Sequence, residues 1–196
     1  MYKVLIASAG LGNRLKGITK NINKALVSVN FKPAISHIIE KFPEETEFVI
    51  PVGYKKELVT DFCEIAYPSR NFTFIDVDLY EGKGSGLGYS ILKCKEHLQC
   101  PFIFSSNDTI VTEDIPIPEF NWIGYSKYVD PKIYRSIEIK DDRVSNLFGK
   151  GAETEAYAYI GLSGIYDYEK FWLEMEKGIE SGSIEIGESF GLRALL

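Results

Sequence analysis

The sequence lacks several features that would identify a function class directly. It has no basic excess, because 22 Lys and Arg stand against 28 Asp and Glu, giving a formal net charge of −6. Nucleic-acid binders normally carry a basic excess on one face, so this balance argues against that class. The longest apolar runs are only as long as a strand, which argues against a membrane span.

Cysteine is also scarce. Cys63, Cys94 and Cys100 are odd in number and have no C-x-x-C spacing, which argues against a disulfide framework or a zinc site. The N-terminus enters an apolar strand without the apolar region of a secretory signal, so we expect a cytoplasmic protein. With 196 residues, 45% of them hydrophobic, the chain predicts a single domain over 1–196. The oligomeric state is left open.

The first hundred residues alternate between strand and helix patterns. Buried strands are predicted at "YKVLIAS", "EFVIPVGY", "FTFIDVD" and "CPFIFSSND". Between them, "KPAISHIIEKF", "KKELVTDFCEIA" and "GLGYSILKCKEHL" have helical spacing, and the second of these has Leu58, Val59, Phe62 and Ile65 as its expected apolar face. This order predicts an α/β sheet with right-handed crossovers.

After residue 120 the pattern becomes richer in strands. Strands are predicted at "WIGYSKYV", "YRSIEIKDDRVSNLFGK" and "AYAYIGLSGIYDY". The middle segment is typical of a β-hairpin that turns at Asp141 and Asp142. A helix is expected at "YEKFWLEMEKGIESG" and another at "GESFGLRALL".

Three stretches rich in glycine or polar residues follow predicted strands, and ligands of open α/β sheets bind at such ends. The first, "ASAGLGNRLKGITKNINKALV", fits neither the dinucleotide fingerprint nor the P-loop. Its G-x-G-x-R pattern, with a lysine ten residues later, would let backbone amides and Arg14 approach a phosphate. Taken alone, the stretch fits a solvated strand–helix turn equally well.

The other two stretches also have two interpretations each. "GKGSGLGYS" offers backbone donors and the small Ser85 to a flat base, or is a flexible loop before a helix. Asp108 in "SSNDT" is a Mg²⁺ ligand, since hard oxygen donors suit Mg²⁺ beside phosphates, or a solvated carboxylate at a strand end.

Together these stretches resemble the sugar-phosphate nucleotidyltransferase family, and in particular its small single-domain branch that includes cytidylyltransferases. The family pattern is roughly A-A-G-x-G-x-R-L, P-K-x-L, a glycine-rich base loop and an aspartate at a strand end. This chain has "ASAGLGNRL", "NKALV", "GKGSGLGYS" and "SSNDT" in the same order, and "VIPVGYKKELV" extends the likeness. The resemblance implies a Rossmann-like, three-layer α/β/α fold with a mixed, mostly parallel sheet.

The resemblance also implies a Mg²⁺-dependent reaction in which an NTP, with CTP favoured, and a phosphorylated acceptor give an NMP-acceptor and pyrophosphate. Arg14 maps to the arginine on the triphosphate, Lys24 to the lysine near the α-phosphate and Asp108 to the metal ligand. The nucleotide would also be bound by Ala9, Gly10, Leu11, Gly12, Asn13, Gly84, Ser85, Gly86 and Asn107. The implied acceptor-binding residues are Lys150, Arg135 and Gly161. The product would serve surface polysaccharide or lipid synthesis.

The chain departs from the family pattern at several positions. Asn23 replaces the proline before the lysine, Arg135 replaces a glycine and Gly149 a glutamate. Arg135 either serves an extra anionic group of the acceptor or turns to solvent. The second metal aspartate has no counterpart, so we expect a C-terminally truncated domain, with substitution by another carboxylate as the alternative.

Two alternatives stay open. One is a nucleotide-binding domain with impaired catalysis. The other is a glycosyltransferase of similar topology, a class that usually carries a D-x-D metal motif. The sequence "DVD" at 76–78 has this pattern, but it lies upstream of the base loop.

Overall fold

The computed structural model describes residues 1–127, 133–151, 157–180 and 187–196. The described helices are α1 (Ala34–Ile39), α2 (Lys56–Ala66), α3 (Leu87–Leu92), α4 (Tyr168–Glu180) and α5 (Ser189–Ala194), with shorter 3-10 segments at Asn13–Lys20, Lys24–Leu26 and Lys95–His97. The strands are β1 (Lys3–Ala7), β2 (Ser28–Val29), β3 (Lys32–Pro33), β4 (Glu47–Val52), β5 (Asn71–Asp76), β6 (Phe102–Ser106), β7 (Trp122–Ser126), β8 (Arg135–Lys140), β9 (Arg143–Lys150) and β10 (Tyr157–Ile165).

One mixed sheet organises the fold. Its strand order is β5-β4-β1-β6-β10-β8-β9, and β7 also pairs with β10. The strands β5, β4, β1 and β6 are parallel, whereas β10 runs antiparallel to β6, β7 and β8. Because β1 and β6 are parallel neighbours, their carboxyl ends lie side by side at one edge of the sheet. The loops after Ala7 and Ser106 are therefore brought together.

Helices cover both faces of this sheet. On one face, α1 and α2 contribute the buried Ile35, Ile39 and Val59 to a core with alternate residues of the parallel strands. On the other face, Ile91 of α3 and Trp172 of α4 pack against the sheet. The indole of Trp172 also donates a hydrogen bond to the Leu98 carbonyl at 2.9 Å. The three-layer α/β/α architecture expected from the sequence is confirmed.

Two local predictions have different outcomes. The hairpin prediction is confirmed, since Asp141 and Asp142 join β8 to β9 with φ angles of 49° and 58°, as a type I′ turn requires. The expected apolar face of α2 is partly wrong, because Leu58 and Ile65 are 41% and 81% exposed. The buried stripe instead follows Val59 and Cys63, which are one turn apart, and Leu58 and Ile65 lie outside it.

Within the described ranges, none of the helices combines the length and the apolar character needed to cross a membrane.

Candidate functional site

The loop after β1 folds back on the segment that carries Lys24. Gly12 has a φ of 68°, and a Cβ at this position would lie 3.0 Å from Cγ2 of Thr19 and 3.1 Å from Cβ of Lys24. The hydroxyl of Thr19 donates to the Gly12 carbonyl at 3.3 Å. Only glycine combines this positive φ with so close an approach, so the second glycine of the motif holds the loop against Lys24.

Asn23, one of the residues that depart from the family pattern, anchors this arrangement. Its side chain is buried, and its amide donates to the carbonyls of Ser8 at 3.0 Å and Tyr54 at 2.6 Å. Its carbonyl oxygen accepts from the backbone N–H of Ala25 at 2.9 Å. Asn23 therefore ties the end of β1, the loop after β4 and the turn containing Lys24 together. The family pattern marks Asn23 only as a substitution, although an Asn before a helical turn is a capping signal.

Lys24 and Asp108 meet in the structure. The ammonium of Lys24 donates to Oδ2 of Asp108, and the Ser106 hydroxyl donates to Oδ1 at 2.5 Å. The Lys24 side chain is 18% exposed and that of Asp108 is 42% exposed. Partial burial raises the pKa of Asp108, but the hydrogen bonds from Lys24 and Ser106 outweigh it, so the pKa lies below its usual value. The carboxylate is therefore held ionised beside a cation.

A cleft of about 460 Å³ opens above this pair. It lies where the loops after β1 and β6 face the start of α3. Its lining includes these residues predicted from the sequence: Ala9, Gly10, Gly12, Asn13, Arg14, Lys24, Ser85, Gly86, Asn107 and Asp108. Leu11 and Gly84 were predicted with them but do not line it. Tyr80 and Leu87 do line it, and sequence analysis did not single them out.

The loop before α3 supplies one wall of the cleft. Ser85 is fixed by its own turn, since its backbone N–H and its hydroxyl both contact the Gly82 carbonyl, at 3.2 Å and 2.7 Å. Gly84 has a φ of 88°, a conformation that other residues rarely adopt. The glycines thus shape the wall, while Gly86 and Leu87 face the cavity.

The three residues expected to bind an acceptor do not line the cleft. Gly161 on β10 has a φ of 77° and approaches Ser106 so closely that a Cβ would lie 2.9 Å from the Cβ of that serine. Arg135 and Lys150 are cross-strand partners in β8 and β9. Arg135 forms an ion pair with the buried Glu188 at 3.8 Å. No motif in the sequence marks Glu188 as a site residue.

The donors for a metal ion can be compared with the chemistry of Mg²⁺. Among the residues that the structure describes, no three His, Cys, Asp or Glu side chains gather as a metal site. Mg²⁺ commonly binds one or two carboxylates together with substrate phosphates and water. The ionised, half-exposed Asp108 at the cleft fits that mode. The "DVD" carboxylates are engaged elsewhere, Asp76 with Lys56 at 2.7 Å and Asp78 with Lys93 at 3.0 Å.

The chain is similar in sequence to several known proteins. No protein-family model matches the chain. Bifunctional protein GlmU of Methanococcus vannielii is 31% identical over 198 residues, covering 94% of this chain and 46% of that protein. The choline-phosphate cytidylyltransferase of Streptococcus pneumoniae is 34% identical over 111 residues, covering 54% and 44%. The chain thus spans about half the length of the curated relatives it matches.

Solved structures extend the likeness across the whole fold. The CTP:phosphocholine cytidylyltransferase LicC from Streptococcus pneumoniae has a TM-score of 0.77 at 26% identity, covering 98% of this chain and 84% of that one. A UDP-glucose pyrophosphorylase has a TM-score of 0.75 at 19% identity, covering 98% and 86%, which is a likeness of fold. The motifs, the sheet topology and these relatives agree that the homologues of this chain are sugar-phosphate nucleotidyltransferases.

Proposed function

We propose that the chain is a Mg²⁺-dependent nucleotidyltransferase that moves NMP from an NTP onto a phosphorylated acceptor and releases pyrophosphate. The observation that carries this proposal is the meeting of Arg14, Lys24 and Asp108 in one cleft at the carboxyl ends of β1 and β6. Two cations and an ionised carboxylate are the groups that a triphosphate and its metal require.

In this reaction an oxygen of the acceptor phosphate forms a bond to the α-phosphorus. The bond from the α-phosphorus to the oxygen that bridges it to the β-phosphorus breaks, and pyrophosphate leaves. Arg14 would bind the triphosphate, and Lys24 would stabilise the charge that develops on the α-phosphate. Asp108 would hold Mg²⁺, which neutralises phosphate charge when bound. The acceptor phosphate is ionised near neutral pH, so positioning supplies most of the catalysis.

CTP is the favoured nucleotide, because a relative at 34% identity is a choline-phosphate cytidylyltransferase and LicC is a CTP:phosphocholine cytidylyltransferase. We propose a small phosphorylated metabolite as acceptor and a precursor for surface polysaccharide or lipid as product. Gly161 would contact the acceptor because it adjoins Ser106 at the cleft. Arg135 and Lys150 would do so from the next two strands, β8 and β9. A reaction that consumes NTP suits the cytoplasm, where we expect it to occur.

Nucleotide binding is tested first, by a thermal-shift panel of the four NTPs with Mg²⁺. An NTP at about 100 times its Kd stabilises the fold by about 2.7 kcal/mol, which raises the Tm of a chain of this size by roughly 5–11 °C. We expect the largest shift with CTP. No shift with any NTP would overturn the proposal.

Turnover is then measured as pyrophosphate release from Mg²⁺ and the bound NTP, with phosphocholine, glucose 1-phosphate and further phosphorylated metabolites as acceptors. Arg14→Ala should abolish release and leave the Tm of the ligand-free protein unchanged. Lys20→Ala, an exposed lysine of the same 3-10 segment, is the matched control and should retain activity. Nucleotide binding without turnover on any acceptor would favour the impaired nucleotide-binding domain instead.

A further inference from the structure

A buried carboxylate lies next to the paired strands β8 and β9. Glu188, directly before α5, is 2% exposed. Its Oε1 lies 3.8 Å from a terminal nitrogen of Arg135. Its Oε2 is buried and has no hydrogen-bond partner among the described residues. Burying a carboxylate with one oxygen unpartnered costs free energy, so the contribution of this glutamate to stability alone does not account for it.

Several charged or polar groups surround Glu188. Arg135 approaches it from β8, Lys150 from β9 and the Tyr159 hydroxyl from β10, while Arg193 on α5 lies near Arg135. Burial raises the pKa of Glu188, and the positive charge of Arg135 opposes that rise. Two cations, Arg135 and Lys150, thus act on one carboxylate, and Arg193 lies near the first of them, in a chain whose net charge is −6. This local excess of positive charge suits an anionic ligand.

The cluster adjoins the nucleotide cleft. Gly187 packs closely against Leu87, which lines the cleft. A Cβ on Gly187 would lie only 3.2 Å from Cδ2 of Leu87. Tyr159 is two residues from Gly161, which contacts Ser106 beside Asp108. An anion bound at this cluster would therefore lie beside a nucleotide in the cleft.

We propose that Glu188 is a positioning residue whose buried carboxylate orients the Arg135 guanidinium toward an anionic group of the acceptor. An arginine has several donors in a planar fork, and the charge of a carboxylate 3.8 Å from one terminal nitrogen favours one orientation of that fork. The exposed Lys150, paired with Arg135 across the strands, adds a second cation. The proposal rests on the proposed function, because it assumes an acceptor.

Inorganic phosphate is the probe, and its binding to the full chain is followed by phosphorus NMR. The variants are Glu188→Gln, Arg135→Gln, the double variant and Glu138→Gln. The last is the matched control, because Glu138 lies on the same strand and pairs on the surface with Lys140 at 3.2 Å. Each single change at Glu188 or Arg135 should weaken phosphate binding by roughly tenfold, the equivalent of one charge-assisted hydrogen bond.

The double variant separates positioning from a general structural effect. If Glu188 acts through Arg135, the double variant should bind phosphate no more weakly than Arg135→Gln alone. Wild-type binding by Glu188→Gln, or losses that multiply in the double variant, would overturn the proposal. If Glu188→Gln fails to fold, Glu188→Asp replaces it, because aspartate keeps the negative charge but holds it one methylene farther from Arg135. Phosphate binding by Glu188→Asp equal to that of the wild type would then overturn the proposal.

Binding of Mg²⁺ and CTP to the same variants distinguishes the two hypotheses. If nucleotide binding is normal and Glu188→Gln binds phosphate as the wild type does, only the positioning role is refuted. Absence of nucleotide binding in the wild-type chain would refute the proposed function instead.

Discussion

Asn23 allows a direct test of how the site is held together. Replacing it by alanine removes three side-chain hydrogen bonds, to the Ser8 and Tyr54 carbonyls and from the Ala25 N–H. Each such bond contributes a net stabilisation of about 1 kcal/mol, so Asn23→Ala should lower the free energy of unfolding by about 3 kcal/mol. For a domain of this size, that loss lowers the Tm by roughly 6–12 °C.

Urea denaturation followed by circular dichroism measures this loss, with an unchanged m-value expected because the fold is retained. Asn21→Ala is the matched control, since Asn21 is an exposed asparagine two residues away and should change stability by less than about 0.5 kcal/mol. A loss in Asn23→Ala no larger than in the control would refute the anchoring role.

Asn23→Pro refines the same experiment. The φ of Asn23 is −69°, close to the angle that proline imposes. Proline would lose the same three hydrogen bonds but would restrict the unfolded chain, which stabilises by roughly 0.4–1 kcal/mol. Its loss should therefore be smaller than that of Asn23→Ala; a larger loss would contradict this account.

Two further predictions concern the same cleft. Gly12→Ala should destabilise by about 1–2 kcal/mol, because an alanine at a φ of 68° is strained, whereas Gly10→Ala, with open space around its Cβ, should be nearly neutral in urea unfolding. Burial raises the pKa of Asp108, but Lys24 and Ser106 lower it by more, so the pKa in the fold lies below the ordinary value of 3.8. The ionised carboxylate therefore contributes fully to stability above pH 3.8, and this contribution disappears as the pH falls through the lower pKa of the folded state. Asp108→Asn should therefore weaken the acid dependence of stability, and an unchanged slope in acid titrations would contradict the pairing.

The fold could be predicted because its strands are buried runs with clear boundaries. The alternation of strands and helices up to residue 106 and the turn at Asp141 and Asp142 both reflect local chemistry, which a single sequence records. The exposed Leu58 and Ile65 on α2 show the limit of this approach. The spacing of apolar residues predicts an apolar stripe on the helix, but the position of the neighbouring sheet decides which of these residues face the sheet.

The candidate site was predicted as a set of residues, but its contacts were not. The ion pair of Lys24 and Asp108 joins residues 84 positions apart, and it depends on β1 and β6 being neighbours. The three bonds of Asn23 and the burial of Glu188 likewise depend on segments distant in sequence. No local pattern marks such contacts, because each of these polar side chains would look solvated if only its own segment were considered.

The charged cluster in the cleft and the charged cluster around Glu188 are built in the same way. In the cleft, Asp108 pairs with Lys24 near Arg14. Beside β8 and β9, Glu188 lies near Arg135 and Lys150. Cations gathered without a ligand would repel one another at low dielectric, and a single carboxylate in each cluster reduces that repulsion. Each cluster still keeps an excess of positive charge, so a phosphate can be attracted without first rearranging the side chains. We therefore expect the two clusters to be assembled before the ligands arrive, and the Asn23 and Glu188 variants test that assembly separately.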